Sequence, residues 1–245
     1  INQGQVIYGG ASMSKSKGNL VEAMPLVERW GSDTMRLTIL FAGPFEDDID
    51  WKLIAPDPNR RPGVNAWLGR VHAAVFDAAE DGPGTEPDEL RRLTHRTIKA
   101  VTEDLERFKF NVAISKLMVL SNEVRSALDA GHGARDAAEA LTLLIAPFAP
   151  YLAEELWREA LEHDASVHVA AWPEYDPGLT REETVTLVVQ VDGKVRDTIE
   201  VGPDISEEDA ERLARESEKA RRALAEREVV RVVVRPPRLV NLVTG

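Results

Sequence analysis

Cysteine is absent from this chain of 245 residues. Its absence excludes disulfide bonds, thiolate catalysis and zinc sites with cysteine ligands. The five histidines form no HExxH pattern or other close pair, so the sequence predicts no metal site. Long apolar runs are missing too. No stretch of about 18 apolar residues occurs, and the sequence therefore predicts no membrane span.

A start methionine and a signal-peptide pattern are also lacking. The chain begins Ile1-Asn2-Gln3, and we therefore expect a fragment of a longer protein. Positive charge is scarce, since 30 Lys and Arg stand against 42 Asp and Glu, for a net charge of −12. This balance argues against a dedicated nucleic-acid binder. Residues 184–245 are nearly neutral, however, with 11 basic and 12 acidic side chains, so almost all of the excess negative charge lies before them.

Residues 1–51 form the first of three segments that the sequence predicts. Val6-Ile7-Tyr8 is a short apolar run that is typical of a strand end, and Gly9-Gly10 then loosens the backbone. Asn19 and Glu22 have the spacing of a capping box, which predicts that a helix starts there.

Proline and glycine mark the helices of this first segment. Pro25 suits the first turn of one helix and Gly31 suits its end. Ser32 is the predicted cap of a second helix, with Asp33 in the first turn near the positive end of the helix dipole. Gly43-Pro44 ends that helix.

Residues 52–175 form a second segment that reads as helix throughout. Apolar residues recur there at helical spacing, as in Val64, Leu68, Val71, Val75 and Ala78, and again in Phe110, Ile114, Leu117, Val124 and Leu128. Residues 81–84 are predicted to be a loop, and Pro147 and Pro150 are expected to bend the last helix. Long helices with short connections predict an antiparallel bundle.

The third segment, residues 184–245, follows a polar linker at 176–183. Its periodicity changes from helical to alternating, with strands predicted at 185–191, 194–201, 229–234 and 239–243. Asp192-Gly193 is a strong hairpin signal. One helix is predicted from Ser206, with Leu213, Ser217, Ala220 and Leu224 on one face. This pattern indicates a small α+β domain.

The run SMSKSKGN at residues 12–19 is the main candidate for chemistry. Lys15 and Lys17 stand among serines and precede a glycine, which suits a flexible loop that binds phosphate oxygens. The pattern GxxxxGK[ST] is absent, so this is not a P-loop. Ser12–Ser16 taken alone is more typical of a solvated turn than of a phosphate-binding loop.

The order of motifs resembles the class I aminoacyl-tRNA synthetases. MSKSKGN, GSDTMRLTILF and GPFEDDIDW are similar to the end of their Rossmann-type catalytic domain, where the usual lysine signature is KMSKS. This chain has Ser12 where the first lysine is expected. The helical segment, through stretches such as 95–124 and 146–157, is similar to their anticodon-binding bundle. The strands at 185–201 and 235–245 resemble the C-terminal domain of bacterial leucyl-tRNA synthetases.

The resemblance implies an ATP-dependent ligase that joins leucine to its tRNA, with ATP and Mg²⁺ used by the full enzyme and no metal held by this fragment. The lysine signature then binds ATP through Ser12, Met13, Ser14, Lys15, Ser16 and Lys17, with Lys15 as the catalytic group. It also implies a cytoplasmic protein, expected to be monomeric, whose fragment at 1–245 is inactive alone. The expected fold is mostly α: a catalytic-domain end at 1–51, a bundle at 52–175 and an α+β tRNA-binding domain at 184–245.

Four basic residues near the strand turns are candidates for contacts with tRNA. Lys194 and Arg196 occupy alternate positions after the hairpin turn and are expected on one strand face, whereas Arg235 and Arg238 bracket two prolines. Ordinary charge at strand edges is the alternative for all four. The acidic residues between 46 and 50 are expected to form a solvated loop and no metal cluster.

Two other functions use the same segments. A non-catalytic tRNA-binding protein could be built from the same bundle and tail, and it would begin with a closed first domain. A protein-interaction module would instead show an exposed apolar helix face, and the sequence shows no spare one.

Overall fold

The computed structural model describes residues 4–55, 59–80, 85–180, 185–225 and 227–245. The chain divides into two compact units, residues 1–180 and 181–245. Helices dominate the described residues and two small sheets accompany them, as the mostly α prediction requires. The finer division into 1–51, 52–175 and 184–245 stays a prediction. The loop expected at 81–84 and the end of the predicted linker lie outside the described residues.

A three-stranded sheet opens the first unit, in the order β2-β1-β3. Strand β1 (Val6–Tyr8) confirms the predicted strand. It pairs antiparallel with β2 (Ala11–Ser12) and parallel with β3 (Ile49–Asp50). Gly9 and Gly10 turn the chain between β1 and β2 with φ angles of 60° and 79°, a region that glycine enters without steric cost.

Two consecutive helices follow, α1 (Met24–Trp30) and α2 (Ser32–Phe41), with Gly31 between them at a φ of 83°. Pro25 lies in the first turn of α1, as predicted. The predicted side-chain caps are wrong. Helix α1 begins after Ala23, and Ser32 is the first residue of α2 and makes no capping bond.

Asp33 in the first turn of α2 connects that helix to a later one. Its buried carboxylate accepts a hydrogen bond from the backbone N–H of Leu152, with 2.9 Å between Oδ2 and the nitrogen. Burial raises the pKa of Asp33 above its usual range, and the amide of Leu152 opposes this rise. Asp33, which the sequence analysis explained by the helix dipole, therefore also makes a tertiary contact with Leu152.

The bundle consists of the short helix α3 (Trp51–Ile54) followed by α4 (Gly63–Glu80), α5 (Asp88–Glu106), α6 (Phe110–Asp129), α7 (Arg135–Ile145) and α8 (Pro150–Glu155). One turn of π-helix at Leu156–Ala160 extends α8. Helices α4 to α7 pack around one core, in which Val71, Ile114 and Leu141 are fully buried. No helix within the described ranges is long and apolar enough to cross a membrane.

The helix that was predicted to bend at Pro147 and Pro150 is instead two separate helices. Helix α7 ends at Ile145, and Pro150 occupies the first turn of a new helix, α8. Proline has no N–H to donate to the preceding turn, and its ring suits the start of a helix. The chain therefore ends one helix and begins another.

The second unit is a four-stranded sheet in the order β5-β4-β7-β6, formed by β4 (Val185–Val191), β5 (Lys194–Val201), β6 (Val229–Arg235) and β7 (Leu239–Thr244). Strands β4 and β7 are parallel, and the other pairs are antiparallel. Asp192 and Gly193 form the hairpin turn that the sequence predicts, with φ angles of 52° and 77°.

Two helices, α9 (Glu207–Glu216) and α10 (Glu218–Leu224), pack on one face of this sheet. Ser206 caps α9, so this helix begins where the sequence predicts a helix start. The prediction of one continuous helix is wrong, because the helix is interrupted at Ser217. The Ser217 hydroxyl caps α10 by accepting from the backbone N–H of Ala220. Ser217 therefore marks the start of a helix, whereas the apolar pattern predicted that it lies in the middle of one.

Candidate functional site

The lysine loop, defined as residues 12–19, leaves the end of β2 and forms one turn of 3₁₀ helix at Lys15–Lys17. Ser14 caps that turn, because its Oγ accepts from the backbone N–H of Lys17 at 3.3 Å. Gly18 ends the turn at a φ of 68°. The serine and glycine of the motif therefore shape the turn, and the lysines project from it.

Asn19 closes the loop through both the oxygen and the nitrogen of its side-chain amide. Its Oδ1 accepts from the backbone N–H of Ser14 at 2.9 Å, and its Nδ2 donates to the carbonyl oxygen of Ser12 at 3.2 Å. An amide has donors and acceptors in one group, which lets a single side chain bind both. This use of Asn19 explains why it does not cap α1.

Lys15 and Lys17 are exposed, and neither ammonium group has an ion pair or hydrogen bond within the described residues. The hydroxyl oxygens of Ser14 and Ser16, in the same turn, are 3.2 Å from each other. Met13 is partly buried beside them. Two unpaired cations on a turn that its own serines hold in shape suit an anion with several oxygen atoms, such as a polyphosphate.

Ser12 occupies the position at which the resembled signature has its first lysine. Its Oγ donates to Oε1 of Gln5 at 3.1 Å, so the side chain is tied to the start of the neighbouring strand. The hydroxyl therefore fastens the base of the loop in place of a third cation.

Two of the acidic residues at 46–50 form hydrogen bonds with the β1–β2 hairpin that carries the loop. Asp48 Oδ1 accepts from the backbone N–H of Gln5 at 2.8 Å. Asp50 accepts from the N–H groups of Gly9 and Gly10, both at 2.9 Å, and from that of Lys52 at 3.0 Å. The Gly9 amide is the main reason why the pKa of Asp50 lies below its usual range.

These contacts correct the expectation of a purely solvated acidic loop. No cluster of three or more histidine, aspartate or glutamate side chains suited to a metal occurs in the described part of the chain. No local pattern pointed to Asp50, because its partners lie about 40 positions earlier in the sequence.

The four basic candidates of the second unit are all exposed. Lys194 and Arg196 lie on β5, Arg235 ends β6 and Arg238 lies in the turn before β7. None of their side chains has an ion pair or hydrogen bond among the residues that the structure describes. They are therefore available to a partner.

A bulge changes the geometry of the first pair. Val195 lies opposite Gln190, whereas Asp197 lies opposite Val189, so Arg196 is the extra residue on β5 and has no partner across the strands. The bulge interrupts the simple alternation of side chains at Arg196, so alternation does not place Lys194 and Arg196 on one face as predicted.

Arg231 is a further exposed cation that the sequence reasoning missed. It lies four residues before Arg235 on β6, in a stretch of regular pairing with β7. Val232 and Val234 between them pack against the core of the unit. Because side chains alternate along a strand, Arg231 and Arg235 lie together on the face opposite the helices, which we call the open sheet face.

Residues 88–211 match the family of anticodon-binding domains of tRNA ligases. The leucine–tRNA ligase of Paenarthrobacter aurescens is 45% identical over 248 residues, which cover 99% of this chain and 29% of that protein. The leucine–tRNA ligase of Leifsonia xyli is 44% identical over 249 residues, which cover 100% of this chain and 28% of that protein.

Among solved structures, the agnB2 LeuRS of Agrobacterium radiobacter K84, crystallised in a ternary complex with tRNA and LeuAMS, matches all of this chain and 32% of its own. The TM-score is 0.80 and the identity 28%. The chain thus spans about 29% of the length of its relatives, as a C-terminal portion. Because this family model matches half of the sequence, the chain belongs to the family of anticodon-binding domains of tRNA ligases, and the relatives that align along nearly all of it are leucine–tRNA ligases.

Proposed function

We propose that this chain is the part of a leucine–tRNA ligase that supplies a phosphate-binding lysine loop and tRNA-binding surfaces. The observation that carries the proposal is the likeness to leucine–tRNA ligases along 99% of the chain. The intact enzyme would join leucine to ATP, release pyrophosphate and transfer the leucyl group to its tRNA. The first 51 residues would be the end of its Rossmann-type domain.

Lys15 is the proposed catalytic group of this part, and Ser12, Met13, Ser14, Ser16 and Lys17 complete the proposed ATP-binding loop. The ammonium of Lys15 is exposed and unpaired among the described residues, so it is free to meet charge that develops on phosphate oxygens as the bond to the leaving pyrophosphate breaks. A donor that strengthens its contact in the transition state raises the rate and not merely the affinity. Mg²⁺ would arrive with ATP.

The tRNA-binding role is proposed for the bundle and for the second unit. The match to anticodon-binding domains of tRNA ligases supports it for residues 88–211. Lys194, Arg196, Arg235 and Arg238 support it in the second unit, because unpaired exposed cations bind a phosphate backbone. A monomeric state and a cytoplasmic location stay predictions.

Replacing Lys15 with alanine in the intact enzyme tests the catalytic part of the proposal. Leucine-dependent exchange between ATP and pyrophosphate should slow about 100-fold to 1,000-fold, which is the typical loss when one transition-state donor is removed. The KM for leucine should change little. Lys109→Ala is the matched control, since Lys109 is also exposed and its side chain has no partner within the described ranges. An unchanged exchange rate in Lys15→Ala would show that the loop only connects two elements.

The chain of 245 residues should show no exchange activity by itself, because it contains no HxGH-type nucleotide motif. Activity of the purified chain above background would contradict the proposal that it is one part of the enzyme. The same preparation should bind tRNA, since that role is proposed for residues that it contains.

A further inference from the structure

One carboxylate holds the turn from which the lysine loop departs. The two oxygen atoms of Asp50 accept from adjacent backbone amides, Oδ1 from Gly9 and Oδ2 from Gly10, both at 2.9 Å. Oδ1 also accepts from the amide of Lys52 at 3.0 Å, at the start of α3. Asp50 therefore joins the turn of the β1–β2 hairpin to the next helix.

The turn needs such an anchor because of its backbone. Gly9 and Gly10 both have positive φ, and each amide would otherwise have only solvent as its partner. Glycine is also the residue that loses most conformational freedom when it is fixed. Hydrogen bonds to an ionised carboxylate are about twice as strong as neutral ones, so they can hold this flexible pair in one arrangement.

A second link fixes the other end of the hairpin. Asp48 Oδ1 accepts from the amide of Gln5 at 2.8 Å, and Oε1 of Gln5 accepts from the hydroxyl of Ser12 at 3.1 Å. Ser12 is the last residue of β2 and the first of the lysine loop. Two carboxylates of one short segment thus bind the hairpin at its base and at its turn.

We propose that Asp50 is a positioning residue for the lysine loop: by clamping the amides of Gly9 and Gly10, it fixes the direction in which the loop presents Lys15 to a bound polyphosphate. This inference rests on the proposed function. Its physical basis is preorganisation, since a misplacement of about 1 Å at a reacting group can cost on the order of 100-fold in rate. Asp50 itself does not touch the reacting atoms.

Asp50→Asn in the intact enzyme tests the role. Asparagine keeps one acceptor oxygen and replaces the other with an amide that cannot accept from a glycine N–H. The kcat for ATP–pyrophosphate exchange should fall roughly tenfold, well within the loss expected from a misplaced group, while the KM for leucine stays unchanged. Asp50→Glu keeps the charge and displaces the carboxylate, so its kcat should lie between those of the wild type and Asp50→Asn.

Asp47→Asn is the matched control, because Asp47 lies in the same segment, is exposed and has no side-chain partner in the described part of the chain. In NMR spectra of the 245-residue chain, the amide signals of Gly9 and Gly10 should move in Asp50→Asn and stay in place in Asp47→Asn. If Asp50→Asn fails to fold, Asp50→Glu provides the kinetic test, and a wild-type kcat in that variant overturns the inference. A wild-type kcat in folded Asp50→Asn overturns it as well. Loss of activity in Lys15→Ala alongside full activity in both Asp50 variants would leave the proposed function standing and remove only the positioning role.

Discussion

Asp197 on β5 accepts a hydrogen bond from the hydroxyl of Ser217 at 2.7 Å, and Ser217 is the residue at which the helices covering the second unit separate. Lys219 donates to the other carboxylate oxygen at 2.7 Å. The Lys219 contact first and the Ser217 contact second lower the pKa of Asp197 to about 2. One carboxylate therefore fixes the break between α9 and α10 to the sheet.

The stability of the second unit should fall in acid because of this carboxylate. The folded-state pKa of about 2 lies below the ordinary value of 3.8, so the stabilisation is complete above about pH 4 and is lost as the pH falls through 2. Amide hydrogen exchange in β4 and β5 measures this, because all five tryptophans lie at or before position 172 and their fluorescence reports only the first unit.

Asp197→Asn should flatten that part of the pH profile. Asp204→Asn is the control, since Asp204 is exposed and its side chain has no partner within the described ranges. Equal acid sensitivity of exchange in the wild type and in Asp197→Asn would show that other groups cause the loss.

Ser121→Ala should destabilise the first unit through a buried indole. The Nε1 of Trp67 donates to the hydroxyl of Ser121 at 2.9 Å, and Trp67 is only 1% exposed. Loss of the acceptor leaves a buried N–H without a partner, which costs about 1–3 kcal/mol in the free energy of unfolding. Urea unfolding followed by tryptophan fluorescence measures it.

An exposed indole in the same unit gives the comparison for that prediction. Trp172 donates from Nε1 to the hydroxyl of Thr102 at 2.8 Å, but this tryptophan is 38% exposed, and water can replace the lost acceptor. Thr102→Val should therefore destabilise the unit less than Ser121→Ala. The reverse order would mean that packing around Ser121 matters more than its hydrogen bond.

Much of the fold follows from local sequence patterns. The stripe of Val71 and Val75 in α4, the alternation in β4 and the Asp192-Gly193 turn all act over a few residues, and the structure contains each of them. Helix boundaries were harder to predict where a polar side chain had two possible partners. Ser217 fits the apolar face of one helix by spacing, but its bond to Asp197, 20 residues earlier, makes it a cap.

The motif allowed the exposed lysines of the loop to be predicted, but not the contacts that hold the loop in place. The unpaired lysines of the loop follow from the motif itself. Their framework depends on contacts between residues about 40 positions apart, such as those of Asp50 with Gly9 and Gly10, and a run of carboxylates in isolation is typical of a solvated loop. Arg231 belongs to no sequence motif, so it was missed. It becomes a candidate contact for tRNA only because the strand pairing places it on the same face as Arg235.

Asn19→Ala should loosen the lysine loop, since it removes the bonds to the Ser14 amide and the Ser12 carbonyl. Under the proposed function, ATP–pyrophosphate exchange by the intact enzyme should slow several-fold, and by at most about 30-fold, which is the factor that corresponds to two lost hydrogen bonds of about 1 kcal/mol each. Asn19→Asp keeps the acceptor for the Ser14 amide, so its exchange rate should fall less than that of Asn19→Ala. Asn111→Ala is the control, because the Asn111 amide group has no partner in the described part of the chain.

Arg231 and Arg235 give a test of tRNA binding that salt concentration makes specific. Both are exposed, unpaired within the described residues and on the open sheet face. If each neutralises one phosphate, the double variant Arg231→Ala/Arg235→Ala should bind tRNA more weakly. The slope of log K against log salt should become shallower by about 1.5, since each lost contact removes about 0.7–0.9. The difference from the wild type should therefore be largest at low salt and shrink as salt rises.

The matched control for the open sheet face is Arg222→Ala. Arg222 is also exposed, but it lies on α10, and its guanidinium pairs with Glu218 at 3.2 Å. Its removal changes the net charge of the unit by half as much as the double variant and leaves the open sheet face intact. If Arg222→Ala alters affinity and slope by half as much as the double variant, binding follows overall charge and the open sheet face has no special role. If only the double variant changes the slope, phosphates contact that face directly, because counterion release depends on the number of contacts made and not on the total charge of the protein.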